Sequence, residues 1–337
     1  MTATTGADGP PAYALDTAGI ARAFSRVAAG YDASAVLQRR VREELLERLT
    51  LVKLQPATVL DLGCGTGAGT RALRERYAPA APWHQRLRRW LMPRSLRSTT
   101  LIGLDLAPGM IAACQQHQHA SPGDRQSIRW VCADARQLPL PAASVDLVFS
   151  NLLLPWVADL DAVFTEVRRV LRPGGLFAFA TVGPDTLLEL RQATAAAEIK
   201  TTTETRATAR VHEFTDMPEL ARGLQQAGFA DPVLDRDLHR LSYSGSAALF
   251  ADLRAVGATN RHAARPRGLA GRQWFARFQT ACEALRQADG RMLITCEVVY
   301  GHAWTPSGTV SRGKRGGVPQ EFTVPLTQLT SRRRDGR

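Results

Sequence analysis

The chain contains no Cys-x-x-C pair, and its five cysteines are scattered. That argues against a disulfide framework or a zinc site and fits a reducing cytoplasm, the expected location. No apolar run reaches the 18 or so residues of a membrane helix, so no stable membrane insertion is expected. The first twenty residues lack a basic stretch followed by an apolar one, so no secretory leader is expected. His117-Gln118-His119 has no third ligand close by in sequence, and no metal site is expected. There is no Asn-Pro-Pro-Tyr-like base pocket and no added RNA-binding module, which argues against a nucleic-acid substrate. Residues 78–99 hold no acid, yet they carry Arg86, Arg88, Arg89, Arg94 and Arg97.

What is present is a chain of 337 residues with 45% hydrophobic content, enough for one large domain or a domain with additions. The net charge of +12 is carried mostly by arginine. It suggests an acidic partner (nucleic acid, an anionic membrane or an acidic protein), or a genome that favours Arg and Ala codons. Residues 1–17 read as disordered. Helical stretches at 18–31 and 35–51 precede a core over about 57–181, and further helices are expected at 217–228, 247–256 and 271–287. A strand is expected over 293–304, and residues 306–337 read as a mostly flexible basic tail. In the arginine-rich insertion, Trp83, Leu87, Trp90 and Leu91 fall on one helical face. This fits a short basic amphipathic helix or a lid packed on its own domain.

Residues 58–69, Thr-Val-Leu-Asp-Leu-Gly-Cys-Gly-Thr-Gly-Ala-Gly, carry the most information. An apolar strand runs through Asp61 into Gly63, Gly65 and Gly67, which lets backbone approach a ligand closely. Cys64 invites a nucleophilic role, against the plainer reading of a small residue packed under a ligand. Leu101–Leu106 and Ile128–Ala135 are two further strand-like runs, ending at Asp105 and Asp134, and Val145–Asn151 is a fourth run. A stretch ending in Arg172-Pro173-Gly174-Gly175 then leads into the apolar run Leu176–Thr181. Strands alternating with helices predict an α/β, Rossmann-like, doubly wound, mostly parallel sheet, with the acids lining one crevice at the strand ends. Gly63, Gly65 and Ala68 also fit a dinucleotide fingerprint, whose ribose acid should lie about 20 residues on. Asp105 lies further on, although the insertion can account for that.

Four segments, Asp61–Gly67, Gly103–Met110, Ala133–Pro139 and Leu171–Gly175, together resemble the class I S-adenosylmethionine-dependent methyltransferases. The resemblance implies a seven-stranded sheet with N-terminal cap helices at 18–51 and covering helices over about 184–290. It implies S-adenosyl-L-methionine as cofactor, approached by Asp61, Gly63, Gly65 and Gly67. The hydroxyls of its ribose would meet Asp105, beside Leu106. Its adenine would meet Asp134 and Ala135, with Asn151 at the same crevice. More narrowly, Phe24–Asp32, Ser150-Asn151-Leu152 with Trp156, Gly183–Leu187, Asp252–Asn260 and Val298–Trp304 resemble the malonyl-acyl-carrier-protein O-methyltransferase family of biotin synthesis. This likeness covers about residues 18–305 and departs at Pro155, where many relatives carry Gln. It implies methylation of a malonyl carboxylate on an acyl carrier protein, with Tyr31, Arg254 and His262 as candidate acceptor-side residues. The segment at 183–191 also resembles complex I assembly factors that act on a protein arginine, and another small acid or a quinone precursor remains open as acceptor.

Overall fold

In the computed structural model, which describes residues 14–77, 99–119, 128–198, 210–266 and 268–307, the apolar runs form adjacent parallel strands. They are β1 (Thr58–Leu62), β2 (Thr100–Asp105), β3 (Arg129–Cys132) and β4 (Val145–Asn151). β5 (Leu171–Val182), β6 (Ala230–Tyr243) and β7 (Met292–Trp304) complete one seven-stranded sheet in the order β3-β2-β1-β4-β5-β7-β6. β7 runs antiparallel to both of its neighbours, and the other pairs are parallel. The strand order turns back between β1 and β4, so a crevice opens there at the carboxyl ends of the strands.

The strands at the centre are apolar on both faces because both faces are covered. Leu60, Val148, Phe177 and Phe179 point to one side, where Val163, Phe164 and Val167 of a helix at Leu160–Val170 pack on them. Val59, Leu147, Phe149 and Leu176 point to the other, against Val41 and Leu45 of a helix at Val36–Arg48. Helix α1 (Thr17–Val27) starts at Asp16, whose carboxylate accepts the Gly19 N–H at 2.8 Å and so satisfies one unpaired donor of the first turn. After a single turn α2 (Tyr31–Ser34) comes α3, the Val36–Arg48 helix just named. The remaining helices are α4 (Ala68–Tyr77), α5 (Pro108–His119), α6 (the Leu160–Val170 helix), α7 (Leu188–Ala197), α8 (Met217–Gln226), α9 (Ser246–Ala255) and α10 (Arg272–Glu283). Helices α7, α9 and α10 bury Leu190, Leu249 and Phe278 against Met292 and Ile294 of β7, forming a smaller separate core.

Several expectations change. Residues 14–17 are ordered: Leu15 pairs with His262, and Asp16 meets Arg265 at 3.2 Å. β6 was not foreseen, because Asp231, Asp235, Arg236 and Asp237 break its apolar alternation. Such charges suit an edge strand, which must discourage pairing with other chains. α7 was not foreseen either. The insertion at 78–98, residues 1–13 and the tail beyond 307 lie outside the described residues.

The glycine loop is sterically tight. Gly67 has φ +82°, and a Cβ there would stand 2.6 Å from Cη2 of Trp130, whose ring also lies against Gly103. Gly67→Ala is expected to destabilise the fold by about 1–3 kcal/mol in denaturant unfolding. Gly30→Ala, at φ −109° with nothing within 4 Å, should cost less than about 1 kcal/mol.

Candidate active site

Asp105 ends β2 and ties the glycine loop to it. Its Oδ2 accepts the Gly65 N–H at 2.9 Å and its Oδ1 the Ala107 N–H at 2.8 Å. Each oxygen keeps a further lone pair for a ligand hydroxyl. Burial pushes the Asp105 carboxyl above the usual carboxylate range, opposed by the amides of Ala107, Gly65 and Leu106. The loop is further fixed by Gly63 and Cys64, whose N–H groups both donate to Leu104 O. Gly65 has φ +56°, and a Cβ there would meet nothing nearer than Tyr31 Cε1 at 4.0 Å, so the loop faces open space.

That space is a crevice lined by Gly63, Gly65, Asp105, Leu106, Asp134 and Ala135 on the sheet side, and roofed by Ile20, Phe24 and Tyr31 of the cap helices. Asp134 is held by Arg136, with 2.7 Å between Nη2 and Oδ2, and this partner lowers its pKa. Tyr31 is pushed well above the ordinary phenol range by burial, with Asp105 and Asp32 adding to the shift, so it stays protonated. Asn151 donates through Nδ2 to Gln38 O at 3.0 Å, while its buried Oδ1 has no partner among the described residues.

Asp61 departs from the expected common crevice. Its carboxylate turns under the loop, where Oδ2 accepts the Thr70 hydroxyl at 2.6 Å. It lines an adjoining recess with Asp32, Arg39, Arg42 and Asn151. Burial raises its pKa to about 7. The folded protein therefore holds a proton that the unfolded chain releases near pH 4, so this group costs stability progressively as pH rises from about 4 to 7. Asp61→Asn keeps an acceptor for Thr70, and its melting temperature is expected to gain on the wild type across that window. A parallel pH profile for the two proteins would refute this. Cys64 is buried and its thiol pKa is raised, chiefly by burial, which suits packing and not nucleophilic attack.

Beyond Trp156 lies a second cavity of about 730 Å³, between α3, α9, β6 and β7. It shares Gln38, Leu152, Trp156, Val256 and Ala258 with the crevice. Phe24, Trp156 and His212 form an aromatic wall between the two spaces, with ring centroids 5.1 Å and 5.5 Å apart. Arg254 lines this cavity, exposed at the end of α9, and its guanidinium bonds to no described residue. His262 lines neither space. Its Nδ1 accepts the Ala264 N–H at 3.1 Å, and its backbone bridges to Leu15. His212 takes the cavity position instead. Its Nε2 accepts the Arg261 N–H at 2.8 Å, and burial, with His262 nearby, drops its pKa to about 4. Nothing in the sequence marked His212, because it sits in an irregular segment without a motif.

Comparison with known proteins agrees with this architecture. A methyltransferase domain family matches residues 84–179. The YcgJ protein of Bacillus subtilis aligns with a TM-score of 0.51 at 13% identity, covering 79% of this chain and 99% of that one, which speaks for the fold alone. The malonyl-[acyl-carrier protein] O-methyltransferase of Methylovorus sp. is 43% identical, over 89% of this chain and 93% of its own length. That of Gallionella capsiferriformans is 42% identical over 93% and 99%. That of Halorhodospira halophila is 41% identical over 96% and 98%. With such identity along nearly the whole length, including the cap and the covering helices as well as the sheet, the chain belongs to the malonyl-[acyl-carrier protein] O-methyltransferase family.

Proposed function

We propose that this protein transfers a methyl group from S-adenosyl-L-methionine to the free carboxylate of malonyl-acyl carrier protein. One observation carries the choice of acceptor: the five residues common to crevice and cavity, Gln38, Leu152, Trp156, Val256 and Ala258, include no acid or base. A phenol, an amine or a guanidinium would have to lose a proton at this junction. A malonyl carboxyl, with a pKa near 4 or below, arrives as the anion. The nearest candidates for a base fail on their own terms. Tyr31 stays protonated, and His212 has its Nε2 lone pair engaged and little basicity. This favours a carboxylate over the protein-arginine and quinone alternatives.

The residues fit the cofactor. The buried, unpartnered Asn151 Oδ1 suits an ammonium group, and the Arg42 Nε, buried without a partner in the adjoining recess, suits the carboxylate beside it. Asp105 is placed to accept from two ribose hydroxyls, and Ala133 and Ala135 with Met110 offer apolar surface for a base. When bound, S-adenosylmethionine supplies an electrophilic methyl group. The protein's own work is then positioning. The cap helices roof the donor, the Phe24–Trp156–His212 wall excludes water from the junction, and Arg254 orients the acceptor carboxylate. Such ordering contributes up to about 7–11 kcal/mol in well-oriented systems. Acyl carrier proteins are acidic, and the +12 charge would assist docking.

The test is methyl transfer from labelled donor, offered malonyl-carrier protein, malonyl-CoA, an arginine-containing protein substrate and RNA in parallel. Label is expected in the malonyl thioesters as a base-labile ester. Label in RNA or in arginine would overturn the reading.

A further inference from the structure

The fold brings together three potential metal ligands that lie far apart in the chain. Glu44 projects from the cap helix α3, and Asp237 and His239 project from the same face of edge strand β6. The carboxylate oxygens and the imidazole nitrogen all lie within 4.8 Å of one another. We propose that Glu44, Asp237 and His239 form a binding site for a divalent cation of the zinc class, pinning the cap helix to the sheet edge. This does not depend on the methyl-transfer reading.

Three observations point the same way. The His239 side chain is more than nine-tenths buried, and its Nε2 makes no hydrogen bond with any described residue, a costly state for a buried ring nitrogen. Asp237 Oδ2 lies 3.6 Å from that nitrogen, close to the roughly 3.3 Å that separates two donors on a tetrahedral zinc ion. Glu44 is already oriented, since its Oε2 accepts the Tyr300 hydroxyl at 2.5 Å, the kind of outer contact that fixes a ligand carboxylate. One neutral imidazole and two carboxylates balance a dication and leave a fourth position for water. This donor set suits zinc, or cobalt in its place, over magnesium or calcium.

Arg40, whose Nε donates to Glu44 Oε1 at 3.1 Å, would compete with the cation, and the Arg48 guanidinium lies close by, 3.7 Å from the centre of the Tyr300 ring. Arg40 is largely exposed and can swing away. Because His239 and Arg40 both line the 730 Å³ cavity, occupancy would also change the charge at its wall. The expectation of no metal site rested on ligands close in sequence, and pairing between a helix and a distant strand leaves no such trace.

The experiment uses tag-free, chelator-treated full-length protein titrated with Co²⁺ and then Zn²⁺. One equivalent of Co²⁺ should bind with the visible ligand-field absorption of a tetrahedral site, be displaced by Zn²⁺, and raise the melting temperature. Asp237→Asn, at an exposed position, should weaken binding by more than about tenfold, and His239→Gln should do the same. His117→Gln, at the other His cluster, should leave it unchanged. Should His239→Gln fail to fold, the Asp237→Asn titration decides. Absence of stoichiometric binding, or a cobalt spectrum indifferent to Asp237→Asn, would overturn the proposal.

Discussion

Asp105→Asn is expected to weaken S-adenosylmethionine binding by about a hundredfold or more in calorimetry. Both carboxylate oxygens already accept backbone donors, from Gly65 and Ala107. An amide must turn its NH₂ toward one of those N–H groups, setting donor against donor and loosening the loop that cradles the ligand. It also removes the charge that, on the proposed reading, would receive two ribose hydroxyls, each bond being worth about 1.5–3 kcal/mol when the acceptor is ionised. At about 1.4 kcal/mol per factor of ten, two such losses reach at least two orders of magnitude. Asp134→Asn is the contrast. That carboxylate is partly exposed and shared with Arg136, so solvent and the arginine cushion its loss, and a change below about tenfold is expected. Equal effects at the two positions, or measurable uptake of NADH by the wild type, would show that the crevice has been misread.

The contrast between the two acids bears on what the sequence could reveal. β1, β2 and β4 were legible because each is an apolar run covered on both faces, ending where the ligand crevice opens. The glycines were legible because all three have positive φ, and at Gly63 and Gly67 a close neighbour also excludes a side chain. Even so, the same pattern placed Asp61 in the crevice, and only the three-dimensional path of the loop shows its carboxylate turned onto Thr70. β6 was hidden because its partner, β7, covers one edge only and its solvent-facing residues are charged. The second cavity was hidden for a different reason. Its wall is assembled from α3, α9, β6 and β7, with His212 contributed by an irregular segment, and no local spacing encodes that meeting. Arg254 was singled out through a family likeness, and the structure places it on the wall of that cavity. His262 was drawn in by the same likeness, and there proximity in sequence to Asn260 misled, since the chain turns at that point toward Leu15.

Arg254→Ala is expected to lower kcat/KM for malonyl-carrier protein at least about tenfold, with S-adenosylmethionine affinity unchanged. Two other arginines of the cavity are engaged: Arg40 with Glu44, and Arg210 with Glu198 at 2.6 Å and over the Trp274 ring at 4.0 Å. Arg240 faces a further recess with Glu189 as well. Among the described arginines, Arg254 alone combines a guanidinium bonded to no described residue with a place on the helix that leads directly into Val256 and Ala258 at the junction. A hydrogen bond to an ionised partner is worth about 1.5–3 kcal/mol, and the exposure of this side chain keeps the figure at the lower end. The reaction itself supplies a sharper readout. Methylation turns the carboxylate into a neutral ester, so the guanidinium loses its partner at the moment of product formation. The wild type should therefore bind malonyl-carrier protein about tenfold more tightly than the methyl ester, whereas Arg254→Ala should bind the two alike. Arg240→Ala should keep the wild-type preference. If the preference survives in Arg254→Ala and vanishes in Arg240→Ala, the carboxylate is held from the edge strand, and the acceptor enters the cavity from the opposite side.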